Sequence, residues 1–265
     1  MTKLVRPVLL VVAAIQLFFA VVFYFQWPLA VNIWPSEGTT PLTYIFIASI
    51  FAAAGASTLW AILSGNDAAV AGIALDYIVI FAPMGFYVAR LAVRDGNAGL
   101  TAYAISLAFG TLFGVWLLGW SLRASLDRSR LTPALVFWSF VFFVLALVVV
   151  GARLLLQTPN VIPWTITPEL SVVIGCIFVG AAVYFLYGLL RPTWANAGGQ
   201  LAGFLAYDIV LIVPFLQRLP TVAPEHRIGL YLYTAVVTYS GLLAIYYLFV
   251  HRRTRVRSTP APTAA

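Results

Sequence analysis

The segment Ala71-Gly72-Ile73-Ala74-Leu75-Asp76-Tyr77-Ile78-Val79-Ile80-Phe81-Ala82-Pro83 returns, little altered, as Ala202-Gly203-Phe204-Leu205-Ala206-Tyr207-Asp208-Ile209-Val210-Leu211-Ile212-Val213-Pro214. Each copy is an apolar run with helical character that carries one aspartate and ends on a proline. The chain therefore reads as an internal duplication. The acids sit in swapped order with their tyrosines, Asp76-Tyr77 against Tyr207-Asp208, so the copies diverge at the one place where each carries charge.

The likeness extends outward from these segments. Ile50, Phe51, Ala54, Leu59 and Leu63 recur as Ile177, Phe178, Ala181, Leu186 and Leu190 at a constant offset of 127, with Tyr187 in place of Trp60. In the aspartate segments the offset is 131, so the loop Arg191-Pro192-Thr193-Trp194 has gained about four residues relative to its counterpart, well within what a surface loop tolerates. Pro7 and Pro133 open matching first helices, and Gly110-x3-Gly114 matches Ser240-x3-Ala244.

Composition identifies the solvent. Hydrophobic residues make up 63% of the chain and charged residues 9%, with a mean hydropathy of +0.99, too few polar groups to cover a surface in water. A hydrocarbon core of about 30 Å takes roughly 20 helical residues to cross. Eight apolar runs meet that length, near Pro7 to Phe25, Leu42 to Leu63, Ala68 to Ala89, Leu100 to Trp120, Thr132 to Leu155, Glu169 to Leu190, Ala197 to Gln217 and Gly229 to Val250. They are continuously apolar rather than alternating, which favours helices over a β-barrel. The first run reads as a membrane helix and not a cleaved leader, because Gln26-Trp27-Pro28 follows it in place of a small-residue cleavage site.

The expected fold is thus all-α and polytopic, with eight transmembrane helices as two four-helix repeats, residues 1–126 and 127–251, and a basic, then disordered, tail at 252–265. A unit of four spans returns to its starting side, so the repeats are expected to be parallel, related by an axis along the membrane normal, unlike inverted repeats. Ten basic residues, among them Lys3, Arg6, Arg123 and Arg252, fall on the side of the termini, against five on the other, Arg90, Arg94, Arg153, Arg218 and Arg227. The positive-inside rule then places both termini in the cytoplasm and the chain in the cytoplasmic membrane. The arginines from Arg252 to Arg257 suit anionic lipid headgroups. No soluble module is present to carry a nucleic-acid surface. The remaining partners in view are the bilayer itself and a second copy of the chain or another membrane protein.

Asp76 and Asp208 are the leading candidate site residues, because a mid-membrane aspartate costs about 2.5–3.5 kcal/mol on insertion scales and turns inward toward a partner or cavity. Asp76 lies seven residues before Pro83, and Asp208 six before Pro214, so the two are rotated by about 100° of helix and are not strict equivalents. Tyr77 and Tyr207 accompany them. Pro83 and Pro214 are expected to kink their helices and free carbonyls one turn back. Such a set coordinates a substrate or ion; the competing reading is two structural aspartates hydrogen-bonded to neighbouring Tyr, Ser or Thr.

Other features have more ordinary readings. Gln16 and Ser139 are expected to hydrogen-bond between helices, Gly110 and Gly114 to let two helices approach closely, and Cys176, the sole cysteine, to fill space. Tyr239 lies where it could face Asp208. Thr167-Pro168-Glu169 reads as a capped helix start, and Thr40-Pro41 as its counterpart. Tryptophans in the longer loops, Trp34 and Trp164, fit an interfacial belt; Glu37 and Glu169 do not align into a carboxylate pair. His226 and His251 lie in separate loops, so no paired-histidine metal or haem site is expected, and no cofactor or catalytic residue is assigned.

The element Trp164-Thr165-Ile166-Thr167-Pro168 and the apolar helix after it resemble a Trp-x-Ile/Leu-Thr-Pro segment of uncharacterised multi-pass bacterial integral membrane proteins. In the first repeat Trp34 lies farther from Thr40-Pro41. The resemblance implies a membrane fold and no substrate or site residue. Three functions compete: a small-solute or ion transporter with its site at the repeat interface, a non-catalytic accessory or assembly subunit of a membrane complex, and, third, a membrane enzyme acting on lipid.

Overall fold

The computed structural model describes residues 5–34, 38 and 40–256. Lys3, Glu37, Arg257 and the tail 258–265 lie outside the described residues. Among those described, the structure is helical apart from one isolated antiparallel bridge, Leu131 with Thr193. The helices are α1 (Val5–Tyr24), a short α2 (Pro28–Ile33), α3 (Pro41–Ser64), α4 (Val70–Asp95), α5 (Ala98–Ser121), α6 (Ala134–Leu155), α7 (Pro168–Leu190), α8 (Trp194–Arg218) and α9 (Pro224–Ile245), which runs on as a π turn over Tyr246–Val250. All but α2, eight in number among the described residues, are long and apolar enough to cross a membrane. This is a polytopic, membrane-type helical fold.

Hydropathy locates the apolar part of each span, whereas local chemistry sets its ends. α4 continues past Ala89 through Arg90 and Arg94 to Asp95, because nothing in Leu91-Ala92-Val93-Arg94 breaks a helix. Gly96, at φ 61°, stops it in the left-handed conformation that glycine adopts without strain. Asn97 then starts α5, its side chain accepting from the Gly99 and Leu100 amides at 2.8 and 3.1 Å. At α7 the Thr167 hydroxyl accepts from the Leu170 amide at 3.1 Å, with Pro168 in the first turn, as expected. Thr40 departs from that expectation. Its hydroxyl caps nothing at α3 and is buried without a partner, and its carbonyl accepts from the Thr43 amide instead. Thr167→Val should therefore cost about 1 kcal/mol in denaturant unfolding in micelles, and Thr40→Val should cost nothing measurable.

The helices pack in four sequential pairs, α1 with α3, α4 with α5, α6 with α7 and α8 with α9. Two further contacts join the pairs, α3 with α8 and α4 with α7, whereas α3 scarcely touches α4 and α7 scarcely touches α8. The inner helices are therefore α3, α4, α7 and α8. The outer ones turn apolar rows outward at three- and four-residue spacing: Ile105, Phe109, Leu112 and Trp116 on α5, Leu135, Trp138, Phe142, Leu145 and Val149 on α6. Such faces suit a hydrocarbon surround.

Aromatic and branched side chains fill the interior at both ends. Toward the α6–α7 and α8–α9 loops, Phe46, Trp164, Phe178 and Phe215 share one core. Trp164 is only 4% exposed and packs against Phe46 and Phe215, so it belongs to the core and not to an interfacial belt. At the opposite end Phe140, Phe185, Trp194 and Leu201 form a second core. Gly114 brings α5 onto α4, since a Cβ there would lie 3.2 Å from the Ala74 carbonyl oxygen and 2.9 Å from Ile78. That close approach is the one expected of the Gly110 and Gly114 pair, within the bundle.

The segment between α5 and α6 is tied down by its own polar groups. The Ser129 amide donates to Asp127 at 2.8 Å, and the Ser129 hydrogen bonds hold the Asp127 carboxyl below its ordinary value. Thr132 donates its amide to Pro192 and Trp194 donates to Arg130, at 3.0 and 2.9 Å, which staples this segment to the α7–α8 loop.

Candidate functional site

Asp76 lies on α4 at the contact with α7. Its Oδ1 is fully buried and has no hydrogen-bond partner, while part of the residue surface stays accessible. It sits over the gap left by Gly180 of α7: a Cβ on that glycine would lie 2.8 Å from Asp76 Oδ1 and would collide with Ile80. An unpaired buried carboxylate oxygen is costly in an apolar interior. Asp76 shares that cost with Asp208 of α8, whose Oδ2 is also buried without a partner.

Two sets of polar contacts lie among the helices, one at the adjacent Tyr77 and one at Tyr184 of α7. Tyr77, 5% exposed, accepts from Gln16 Nε2 of α1 at 2.7 Å, and Thr58 of α3 donates to the Ala54 carbonyl at 2.8 Å and reaches Gln16 Oε1 at 3.5 Å. On α7, the Tyr184 phenol lies against Gly199 of α8, its oxygen 3.2 Å from where a Cβ on that glycine would stand. Ser57 of α3 donates to the Gly199 carbonyl at 3.0 Å. Gln200 of α8, 1% exposed, donates to the Tyr184 carbonyl at 2.5 Å and leaves its Oε1 without a partner. Polar contacts thus link α1, α3 and α4 through Gln16, Thr58 and Tyr77, and α3, α7 and α8 through Ser57 and Gln200. Removing the Gln16–Tyr77 bond by Gln16→Leu and Tyr77→Phe should give a coupling of about 0.6 kcal/mol, and no more than about 1.7, in a double-mutant cycle of unfolding in bicelles.

Asp208 has different surroundings. It is 4% exposed on α8, its Oδ1 accepts from Ser240 Oγ of α9 at 3.1 Å, and Oδ2 has no partner. A Cβ on Gly241 would sit 3.4 Å from Oδ2, so the carboxylate is packed against α9. Tyr239 does not meet it; its hydroxyl pairs with Ser139 at 2.7 Å. Gln16 and Ser139 are both interhelical hydrogen-bonders, as their positions suggested. Tyr207 pairs with Tyr233 of α9 and lays its ring edge-on to Phe46 of α3.

The one-residue shift between the two similar segments accounts for this difference. At the offset of 131, Tyr207 stands where Asp76 stands and Asp208 where Tyr77 stands, so one step of about 100° turns each acid to a different neighbour. Asp76 meets α7 and Asp208 meets α9. The two acids have no hydrogen-bonding partner in common among the described residues. Pro83 and Pro214 lie inside α4 and α8, both of which stay helical across them. Pro83 is exposed on the outer surface and Pro214 is half-buried.

Tyr184, Ser57, Gln200 and Gly180 were not singled out from the sequence. Signals for three of them stand in the sequence, none for Gly180: Ser57 and Tyr184 are 127 residues apart, the offset that relates the two similar stretches, and Gln200 is a polar residue within a largely apolar helix. Among the described residues no group of three His, Cys, Asp or Glu is placed to hold a metal ion. The chemistry available around Asp76 is one carboxylate with neutral oxygen donors, which suits a proton or a weakly held monovalent cation. Neither a family model, nor a curated protein, nor a solved structure matches this chain.

Proposed function

We propose that the protein is a small-solute or ion transporter of the cytoplasmic membrane, with Asp76 as its ion-binding carboxylate between two parallel four-helix halves and both termini in the cytoplasm. The observation that carries this reading is the partnerless Asp76 Oδ1 at the α4–α7 contact, over the gap left by Gly180. An intramembrane carboxylate is a functional candidate by default, and this one lacks the structural partner that would explain it otherwise.

The pattern of helix contacts supports a duplicated architecture. Exchanging the halves maps α1·α3 onto α6·α7, α4·α5 onto α8·α9, and α3·α8 onto α7·α4. Residue contacts follow the same exchange: Gly72 lies against Tyr184 of α7, and Gly203 against Ser57 of α3. Arg252, Arg253 and Arg255 are exposed around a buried Thr254 that donates to the Tyr247 carbonyl at 2.7 Å, which favours anionic headgroups as their partner.

A second reading, the accessory or assembly subunit, is favoured by Asp208, whose packing against Ser240 and Gly241 has the character of a structural acid. The experiment that separates the two is ion flux into proteoliposomes containing the full chain, under imposed proton, sodium and potassium gradients. Transport predicts protein-dependent flux of at least one of these ions. Flux no greater than that of empty vesicles for all three would leave the accessory reading.

A further inference from the structure

Tyr184 of α7 lies across the space between the inner helices, one turn from Asp76. Its ring edge stands 2.9 Å from where a Cβ on Gly72 of α4 would be, and its hydroxyl 3.2 Å from the same position on Gly199 of α8. The side chain thus bridges α7 to α4 and to α8, the helix that α7 otherwise scarcely touches. Gly72 lies four residues before Asp76, and Gly180, which leaves room for the Asp76 carboxylate, lies four before Tyr184. At 3.6 residues per turn, the ring sits one turn from the carboxylate, toward the α7–α8 loop. A Cβ at residue 72 would press on the ring, so the glycine makes its seat.

The two ends of the bundle are closed differently. Toward the α6–α7 loop, Phe178 of α7 stacks on Phe46 of α3 with ring centroids 5.9 Å apart, Tyr207 of α8 meets Phe46 edge-on, and Trp164 packs on Phe46 and Phe215. Phe46, Phe178, Trp164 and Phe215 are all buried, so several interlocked rings would have to move together at that end. Toward the α7–α8 loop, Tyr187 is pinned to the start of α4, its hydroxyl donating to the Ala68 carbonyl at 3.3 Å. Tyr184 keeps part of its surface accessible, which leaves its ring room to turn. The halves also differ here. At the offset of 127 the place of Tyr184 is taken by Ser57, and Ser57 lies against Gly203 of α8 as Tyr184 lies against Gly72 of α4. The large ring thus stands only at the helix contact that carries Asp76.

From this placement we infer that Tyr184 is a gate over Asp76: its ring, seated on Gly72, closes the approach to the carboxylate from the α7–α8 loop and turns aside to admit the ion. The gate rests on the transport reading of Asp76. It assigns the admission of the ion to one side chain, which the first half replaces by serine.

The test is the rate at which a water-soluble carbodiimide modifies Asp76 in the full chain in nanodiscs, read by mass spectrometry, in wild type, Tyr184→Phe and Tyr184→Ser. Serine is what the first half carries at this position against a glycine, so the variant is expected to pack; Tyr184→Leu, too short to reach Gly199, carries the test if it does not. A gate open for about a tenth of the time or less predicts labelling at least ~10-fold faster in Tyr184→Ser. Labelling should be unchanged in Tyr184→Phe, which keeps the ring, and Asp208 should be unaffected in every variant. Asp76 labelled no faster in Tyr184→Ser or Tyr184→Leu, or as fast in Tyr184→Phe as in Tyr184→Ser, would overturn the gate. Ion flux into proteoliposomes distinguishes this from failure of the transport reading: faster labelling in a chain that carries no ion upholds the closure by Tyr184 and overturns transport alone.

Discussion

Asp76→Asn is expected to abolish the ion flux of the proteoliposomes while Asp208→Asn leaves it nearly intact. Losing one member of a buried charge pair costs about 3–5 kcal/mol, and at 1.4 kcal/mol per decade that weakens ion binding by ~100-fold or more. Asparagine keeps the size of the side chain and one oxygen, so the α4–α7 packing over Gly180 is preserved and the charge alone is lost. At Asp208 the amide oxygen can still accept from Ser240 Oγ, so flux should stay within about threefold of wild type, the range of a modest packing change. Flux by Asp76→Asn equal to that of the unmodified chain would remove Asp76 from the mechanism. Equal loss in both variants would mean that the two acids act together, contrary to their separate neighbours.

Gly180→Leu should strongly destabilise the packing of α4 on α7. A Cβ alone would collide with Ile80 and press on Asp76 Oδ1 at 2.8 Å, and the larger side chain must push α4 away from α7. Overpacking of this kind costs about 1–3 kcal/mol and sometimes more. Gly119 is the matched control, because nothing lies within 4 Å of the Cβ it would acquire. Unfolding in mixed micelles should show a lowered midpoint for Gly180→Leu and an unchanged one for Gly119→Leu. Because the displaced contact is also the one at Asp76, the variant should lose flux even at temperatures where it stays folded.

Much of the fold was legible in the sequence because a membrane span announces itself by length and hydropathy alone. The eight runs appear as α1 and α3 to α9, with errors at the ends. α9 starts at Pro224 and not near Gly229, and α4 runs on to Asp95, since caps, prolines and arginines set ends without changing hydropathy. Which helices touch was less legible. That α3 packs on α8 and α4 on α7 depends on contacts between residues far apart in the chain, as at Gly72 and Tyr184. The swapped order of Asp76-Tyr77 and Tyr207-Asp208 did imply that the acids face different ways. What each faces could not be read, because Gly180, the residue that leaves room for Asp76, carries no polar signal of its own.

The central claim is that Asp76, and not Asp208, is the carboxylate that takes up an ion among the inner helices. Labelling of the full chain in nanodiscs with an apolar carbodiimide, followed by mass spectrometry of the modified peptides, tests it directly. The account predicts modification at Asp76 that slows in a saturable manner as the transported cation, or acidity for a proton carrier, is varied, with Asp208 insensitive to the same titration. Labelling at Asp76 that ignores every cation and pH tried, or ion protection at Asp208 in its place, would contradict it.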